Sequence, residues 1–151
     1  MKHLLLSAAL ALPLPAAAQS VSASNLDSVN IALQELGLST QTGAQENGAP
    51  ALVSELAGVT FTILFYNCAA PRGCQDLQLR AVFTPDTEVP LERLNEWNRA
   101  ALVGKAYQSG DSVILEHPIT GADGLSRYSF RVTLTRWEAA LRQFGQVFRT
   151  P

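Results

Sequence analysis

Apolar and polar residues alternate along "VTFTILFY": Val59, Phe61, Ile63 and Phe65 fall on one face, and Thr60, Thr62, Leu64 and Tyr66 on the other. A period of two is that of a half-buried strand. The same alternation runs through "LQLRAVF", where Leu77, Leu79, Ala81 and Phe83 oppose Gln78, Arg80 and Val82. Upstream, "PALVSEL" reads as another strand, joined to the first by a tight turn at Ala57 and Gly58. Farther on, "GKAYQ" and "SVILEH" flank Ser109, Gly110 and Asp111, a combination that suits a hairpin turn. Residues 38–43 carry only a weak strand pattern, because "TQTGAQENGAP" also has the composition of a loop.

Three segments keep the period of a helix instead. Asn25 is placed to cap a first helix whose Leu26, Val29, Leu33 and Leu36 form one stripe and which Gly37 ends. A second begins near Pro90 and takes in "LERLNEWNRAAL". The third spans about 123–148, with Phe130, Leu134, Trp137, Leu141, Phe144 and Phe148 spaced by four, three, four, three and four. The order of helix, strands, helix, hairpin, helix predicts an α+β domain, an antiparallel sheet with three helices packed over it.

The N-terminus belongs to a different pattern. Lys2 and His3 precede an apolar run over 4–14, too short to cross a bilayer, and "PAAAQS" places Ala16 and Ala18 where a signal peptidase needs small residues. Residues 1–18 are therefore expected to be a signal peptide, and 19–151 a single exported domain, periplasmic in a Gram-negative source. Removing the leader takes away Lys2 alone among the charged residues. The remaining 10 basic and 13 acidic side chains give a formal charge of −3. That balance argues against nucleic acid as a partner.

Cys68 and Cys74 are the only cysteines, and in an oxidising compartment such a pair is read first as a disulfide. A reduced pair, or a redox or metal role, is the other reading. The spacing is not that of a C-x-x-C motif, and two thiols without a nearby histidine fall short of a structural zinc site. The flanking strands make a bridged turn the natural setting.

"FYNCAAPRGCQDLQLRAVF", then "LNEWN", then "GKAY", then a long C-terminal helix with a central Trp137 resemble the YbjN domain family over 26–148. The resemblance implies a fold similar to type III secretion chaperones and a role described as sensory transduction regulation. Exported relatives tend to carry acidic residues at the end of the second hairpin strand, where this chain has His117 and Pro118.

In "LNEWN", Asn98 lies inside the arc marked by Leu91, Leu94, Trp97, Ala101 and Leu102, and Asn95 at its edge. Asparagine is a poor helix former, so these residues point to a specific use. Either Asn98 pins the helix to a neighbouring backbone, or Asn95, Trp97 and Asn98 line a small pocket for a peptide or ligand. On the third helix a second apolar ridge of Leu125, Tyr128, Val132 and Ala139 lies opposite the main stripe, with Arg127, Arg131, Arg142 and Arg149 along its flank. That ridge fits beneath another element or forms a homodimer or partner interface, with Leu125, Tyr128 and Val132 as its candidates. The arginines form a solvated face, or one that meets an acidic partner or anionic lipid.

Catalytic signals are missing from the sequence. After the leader, His117 is the only histidine, no glycine-flanked serine elbow occurs, and Lys105 lacks the glycine-rich loop of a phosphate site. Glu88, Glu92, Glu96 and Asp123 are scattered. No cofactor, no metal, no membrane span and no enzymatic activity are expected. The sequence favours an exported non-catalytic interaction module, chaperone-like or regulatory, that binds another polypeptide; the alternative is a periplasmic small-ligand sensor or binding protein.

Overall fold

A computed structural model describes residues 20–69 and 73–147. The expected leader, Pro71 of the cysteine turn, and Phe148 and Arg149 of the third helix lie outside them. The elements follow as α1 (Leu26–Glu35), β1 (Thr40–Ala44), β2 (Pro50–Leu56), β3 (Val59–Tyr66), β4 (Asp76–Phe83), α2 (Leu91–Ala100), β5 (Lys105–Ser109), β6 (Ser112–Ile119) and α3 (Arg127–Phe144). This is the expected α+β architecture.

All six strands form one antiparallel sheet in the order β1-β2-β3-β4-β6-β5. β6 returns beside β4, which sends β5 to one edge and leaves β1 at the other. The weak 38–43 pattern corresponds to β1, a real strand whose residues are mostly exposed. The turn between β2 and β3 forms where Ala57 and Gly58 both take positive φ (57° and 75°), as a two-residue hairpin loop with the strand's own twist requires.

Alternation decides which face is covered. Leu52, Phe61, Ile63, Phe65, Leu77, Leu79, Ala81, Val113 and Leu115 point to one side and join Val29, Ala32 and Leu33 of α1 and Phe130, Leu134, Trp137, Leu141 and Phe144 of α3 in a single core. Trp137 is wholly buried and meets the Phe61 ring edge-on, at 6.5 Å between centroids. Asn25 caps α1 by accepting from the Ser28 N–H, and Ser126 caps α3 by accepting from the Ser129 N–H. The cap explains why α3 starts at Arg127 rather than near Asp123. Residues 122–125 are instead held against the segment before α1, through Val21 N to Leu125 O (2.7 Å) and Ala23 N to Ala122 O (2.6 Å). Among the described residues, no helix is long and apolar enough to cross a membrane.

The second helix is shorter than its sequence pattern. It stops at Ala100, and Ala101 is already extended (ψ 128°), so the chain can drop into β5. Leu102, read from the sequence as part of the buried arc, is therefore outside the helix and 97 % exposed, and Leu91 is 63 % exposed. Leu94 is the one residue of α2 that is fully buried.

Candidate functional site

Besides its helix-packed face, the sheet has three further surfaces: its second face and its two edges. On the second face stand Val53 of β2, Thr62, Leu64 and Tyr66 of β3, Gln78, Arg80 and Val82 of β4, Ile114 and Glu116 of β6, and Tyr107 of β5. Leu64 is buried yet belongs to no part of the core cluster. Val82 and Tyr107 are 57 % and 40 % exposed.

Arg80 organises the middle of that face. Its Nη2 donates to the Tyr66 hydroxyl (3.3 Å), Gln78 Oε1 (3.2 Å) and Glu116 Oε2 (3.4 Å). Glu116 Oε2 also accepts from the Tyr107 hydroxyl at 3.1 Å. Burial first, and this hydrogen bond to Glu116 second, push the Tyr107 phenol above its ordinary range. The Arg80–Glu116 pair is half-exposed, so it fixes geometry on the face more than it adds stability. Sequence reading missed the cluster because Arg80 and Glu116 meet only through the β4–β6 pairing, which joins strands separated by a whole helix and a further strand.

The β5 edge is occupied by α2. Asn98 Nδ2 donates to Ala106 O at 2.9 Å, and the Ala106 N–H donates to Asn98 Oδ1 at 2.8 Å. One carboxamide thus takes the place of a neighbouring strand. Trp97 Nε1 donates to Gly104 O at 2.9 Å, and its ring packs edge-on against Phe144, at 4.8 Å between centroids. Lys105 Nζ turns back to the Asn98 and Ala101 carbonyls at the end of α2, at 2.7 Å and 3.1 Å. Asn95 is exposed. Of the three residues taken from "LNEWN", Asn98 bonds the β5 backbone and Trp97 the residue just before β5, and Asn95 does not join them.

At the opposite edge, β1 runs antiparallel to β2 with Ala44 opposite Pro50 and Thr42 opposite Leu52. Proline has no N–H, so Ala44 and Pro50 form a non-hydrogen-bonded pair. Gln45, next along, does donate its N–H to Ala49 O across the turn, at 2.8 Å. By alternation Thr40, Thr42 and Ala44 direct their backbone N–H and C=O groups away from the sheet. The donor that Pro50 lacks towards β3 is supplied by a side chain: Gln45 Nε2 donates to Phe65 O at 2.8 Å and to Pro50 O at 3.1 Å.

The remaining sequence candidates are dispersed. Cys68 and Cys74 are joined in a disulfide across the β3–β4 connection. Tyr128 is 68 % exposed and Ala139 is exposed, whereas Val132 is half-buried and Leu125, before the start of α3, is half-buried against the core and the Val21 segment, so among the described residues the second ridge is covered only in part. Arg127 pairs with Glu35, Arg131 lies over the Tyr128 ring at 5.6 Å, and Arg142 pairs with Glu138 at 2.6 Å. His117 lies opposite Leu79 on the helix-covered face, where burial pulls its pKa down. Asp123 accepts from Ser22 Oγ at 2.6 Å. Among the described residues no group of three or more His, Cys, Asp or Glu side chains is placed to hold a metal ion.

A model of the YbjN family, described as "Putative bacterial sensory transduction regulator", matches residues 25–150. The chain belongs to the YbjN family. No curated protein and no solved structure matches it. The YbjN match takes in every element from α1 to α3, so both sheet edges and the uncovered face lie within the family domain. The family description is of a regulator rather than an enzyme.

Proposed function

We propose that this YbjN-family chain is an exported, non-catalytic interaction module that holds another polypeptide against its sheet. The observation that carries the reading is the uncovered face. Its exposed Val82 and Tyr107 surround the Arg80–Glu116 pair, giving apolar area for affinity and fixed polar groups for register. A sheet face that mixes apolar and polar groups suits a polypeptide better than it suits a small molecule, which needs a concave site to bury most of its area. The Cys68–Cys74 disulfide supports an oxidising compartment, the periplasm in a Gram-negative cell. The small-ligand reading at Asn95, Trp97 and Asn98 has less behind it, because the polar groups of Trp97 and Asn98 are spent on β5.

The test is site-specific photo-crosslinking in the native host, with the probe at Val82 or Tyr107 and a control probe at Arg136 on α3. A discrete polypeptide adduct from the sheet positions, absent from the control, is expected. Adducts of equal yield from all three positions, or none from the sheet, would overturn the reading.

A further inference from the structure

Sheet edges invite further strands, and natural proteins defend them with proline, lysine, bulges or a covering element. β5 is defended here by the Asn98 carboxamide and the Trp97 indole. β1 carries none of these devices. Its sequence Thr40-Gln41-Thr42-Gly43-Ala44 has no charge and no proline, and no charged residue occurs anywhere in 38–45. Four of its five residues are exposed, and a side chain built at Gly43 would meet nothing within 4 Å. α1 reaches this strand through Asn30, which accepts from the Thr40 hydroxyl, but among the described residues no hydrogen bond is made to the outward N–H and C=O groups of Thr40, Thr42 and Ala44.

We propose that two copies of this chain pair edge to edge through β1, joining their sheets into one continuous antiparallel sheet of twelve strands. The first species an undefended edge meets is another copy of itself, and β1 is suited to that encounter. An antiparallel pairing with Thr42 on the two-fold axis sets Thr42 opposite Thr42 and Thr40 opposite Ala44. In that register the outward groups of all three residues are used, each pair exchanging two bonds. Gln41 then faces Gly43, and Glu46 faces the second copy's Leu38, so no like charges stand opposite one another along the paired strands.

A groove of about 530 Å³ adjoins the same edge, lined in part by Leu26, Thr42, Ala44, Pro50 and Phe65. It gives room to the Thr40 side chain arriving from the second copy opposite Ala44. The pairing also places the two uncovered faces side by side, doubling the width of the surface assigned to a partner. It stands whether or not a foreign polypeptide binds that surface. A five-residue strand buries less than the ~1,600 Å² of a standard interface, so micromolar association is expected.

The test is light scattering of the exported chain across a concentration series, with amide hydrogen exchange read by NMR. A dimer is expected at micromolar concentration, with the Thr40, Thr42 and Ala44 amides slowing as it forms. Thr42→Pro removes an outward donor without touching the β1–β2 ladder and should weaken association about tenfold or more. If that variant fails to fold, Gln41→Lys with Gly43→Lys serves instead. It alters only exposed positions and sets ammonium groups opposite one another in the dimer, and it should give a monomer with an unchanged circular dichroism spectrum. A monomer throughout the series would overturn the proposal. So would a dimer whose β1 amides still exchange rapidly and which Tyr128→Glu, not the β1 variants, dissociates. Slow β1 amides in a particle of monomer mass plus a foreign chain would replace the second copy with a partner's strand.

Discussion

The two edges of this sheet solve one physical problem in opposite ways. At β5 the outward groups of Ala106 are matched atom for atom by the Asn98 carboxamide, and the Gly104 carbonyl by the Trp97 indole. At β1 the corresponding groups of Thr40, Thr42 and Ala44 face outward with no hydrogen-bond partner among the described residues, and the Gln45 side chain mends the hairpin from within. Asn98 and Trp97 in α2 are thus explained by the edge beside them, whose backbone groups they satisfy; Asn95 is not. The difference also teaches where to look for association. A backbone edge that a fold seals is excluded from function, and one it leaves open is available.

Breaking the seal should have the largest effect. Asn98→Leu strips two hydrogen bonds and leaves the Ala106 N–H and C=O facing an apolar side chain, so a loss of about 2 kcal/mol is expected from thermal or urea melting. It should also expose β5 to pairing, seen as concentration-dependent aggregation that the parent chain does not show. An unchanged melting curve would mean that Asn98 is not what holds α2 to the sheet.

The sequence announced part of this comparison. Asn98 stood out because a carboxamide inside a buried arc needs partners, but Ala106 could not be named, since the helix end that lets β5 swing back is set by Ala101 turning extended. The same ending explains Leu102: helical arithmetic buried it, and the chain left the helix before reaching it. β3 and β4 were legible because Phe61, Ile63 and Phe65 alternate strictly against a covered face. β1 was not, because an edge strand exposed on most of its length has no reason to alternate. The Arg80–Glu116 cluster was invisible for a different reason, as strand order is not written in local pattern. Gln45 left one usable trace, a proline at a strand start, which announces a missing donor without saying who replaces it.

A change at the centre of the sheet serves as the control for both edges. Replacing Cys68 and Cys74 with serine opens a short loop between β3 and β4, and the chain-entropy relation gives a loss of about 2 kcal/mol for so small a ring. The melting temperature should fall about as far as in Asn98→Leu, without the aggregation, because neither edge is altered. Equal aggregation in both would show that lost stability, not an unsealed edge, is responsible.

Gln45→Ala should cost less, about 1 kcal/mol, by leaving Phe65 O without its donor. Its consequence is local. Exchange should quicken for amides around the β1–β2 turn while those of β5 and β6 stay as slow as in the parent, and a uniform change would refute the repair role given to Gln45.

The smallest effect expected is on pH dependence at the sealed end, where β6 continues past the first residue of β5 to His117. Burial lowers the pKa of His117 in the folded chain below its ordinary value near 6.5. The unfolded chain therefore takes up the proton first as pH falls. The stability linked to the neutral ring is fully present above about pH 6.5 and is lost as the solution is acidified from there through the folded-state value. The ring is only half-buried, so the slope is modest. Its sign is still decisive: a His117→Gln variant should flatten this segment of the stability profile, and acid-induced exchange in the parent should appear first in β6 and the start of β5. A profile unchanged by the substitution would assign the acid sensitivity to the carboxylates instead. Early exchange at β1 rather than β5 would show that the open edge, not the sealed one, is the part of the sheet that yields first.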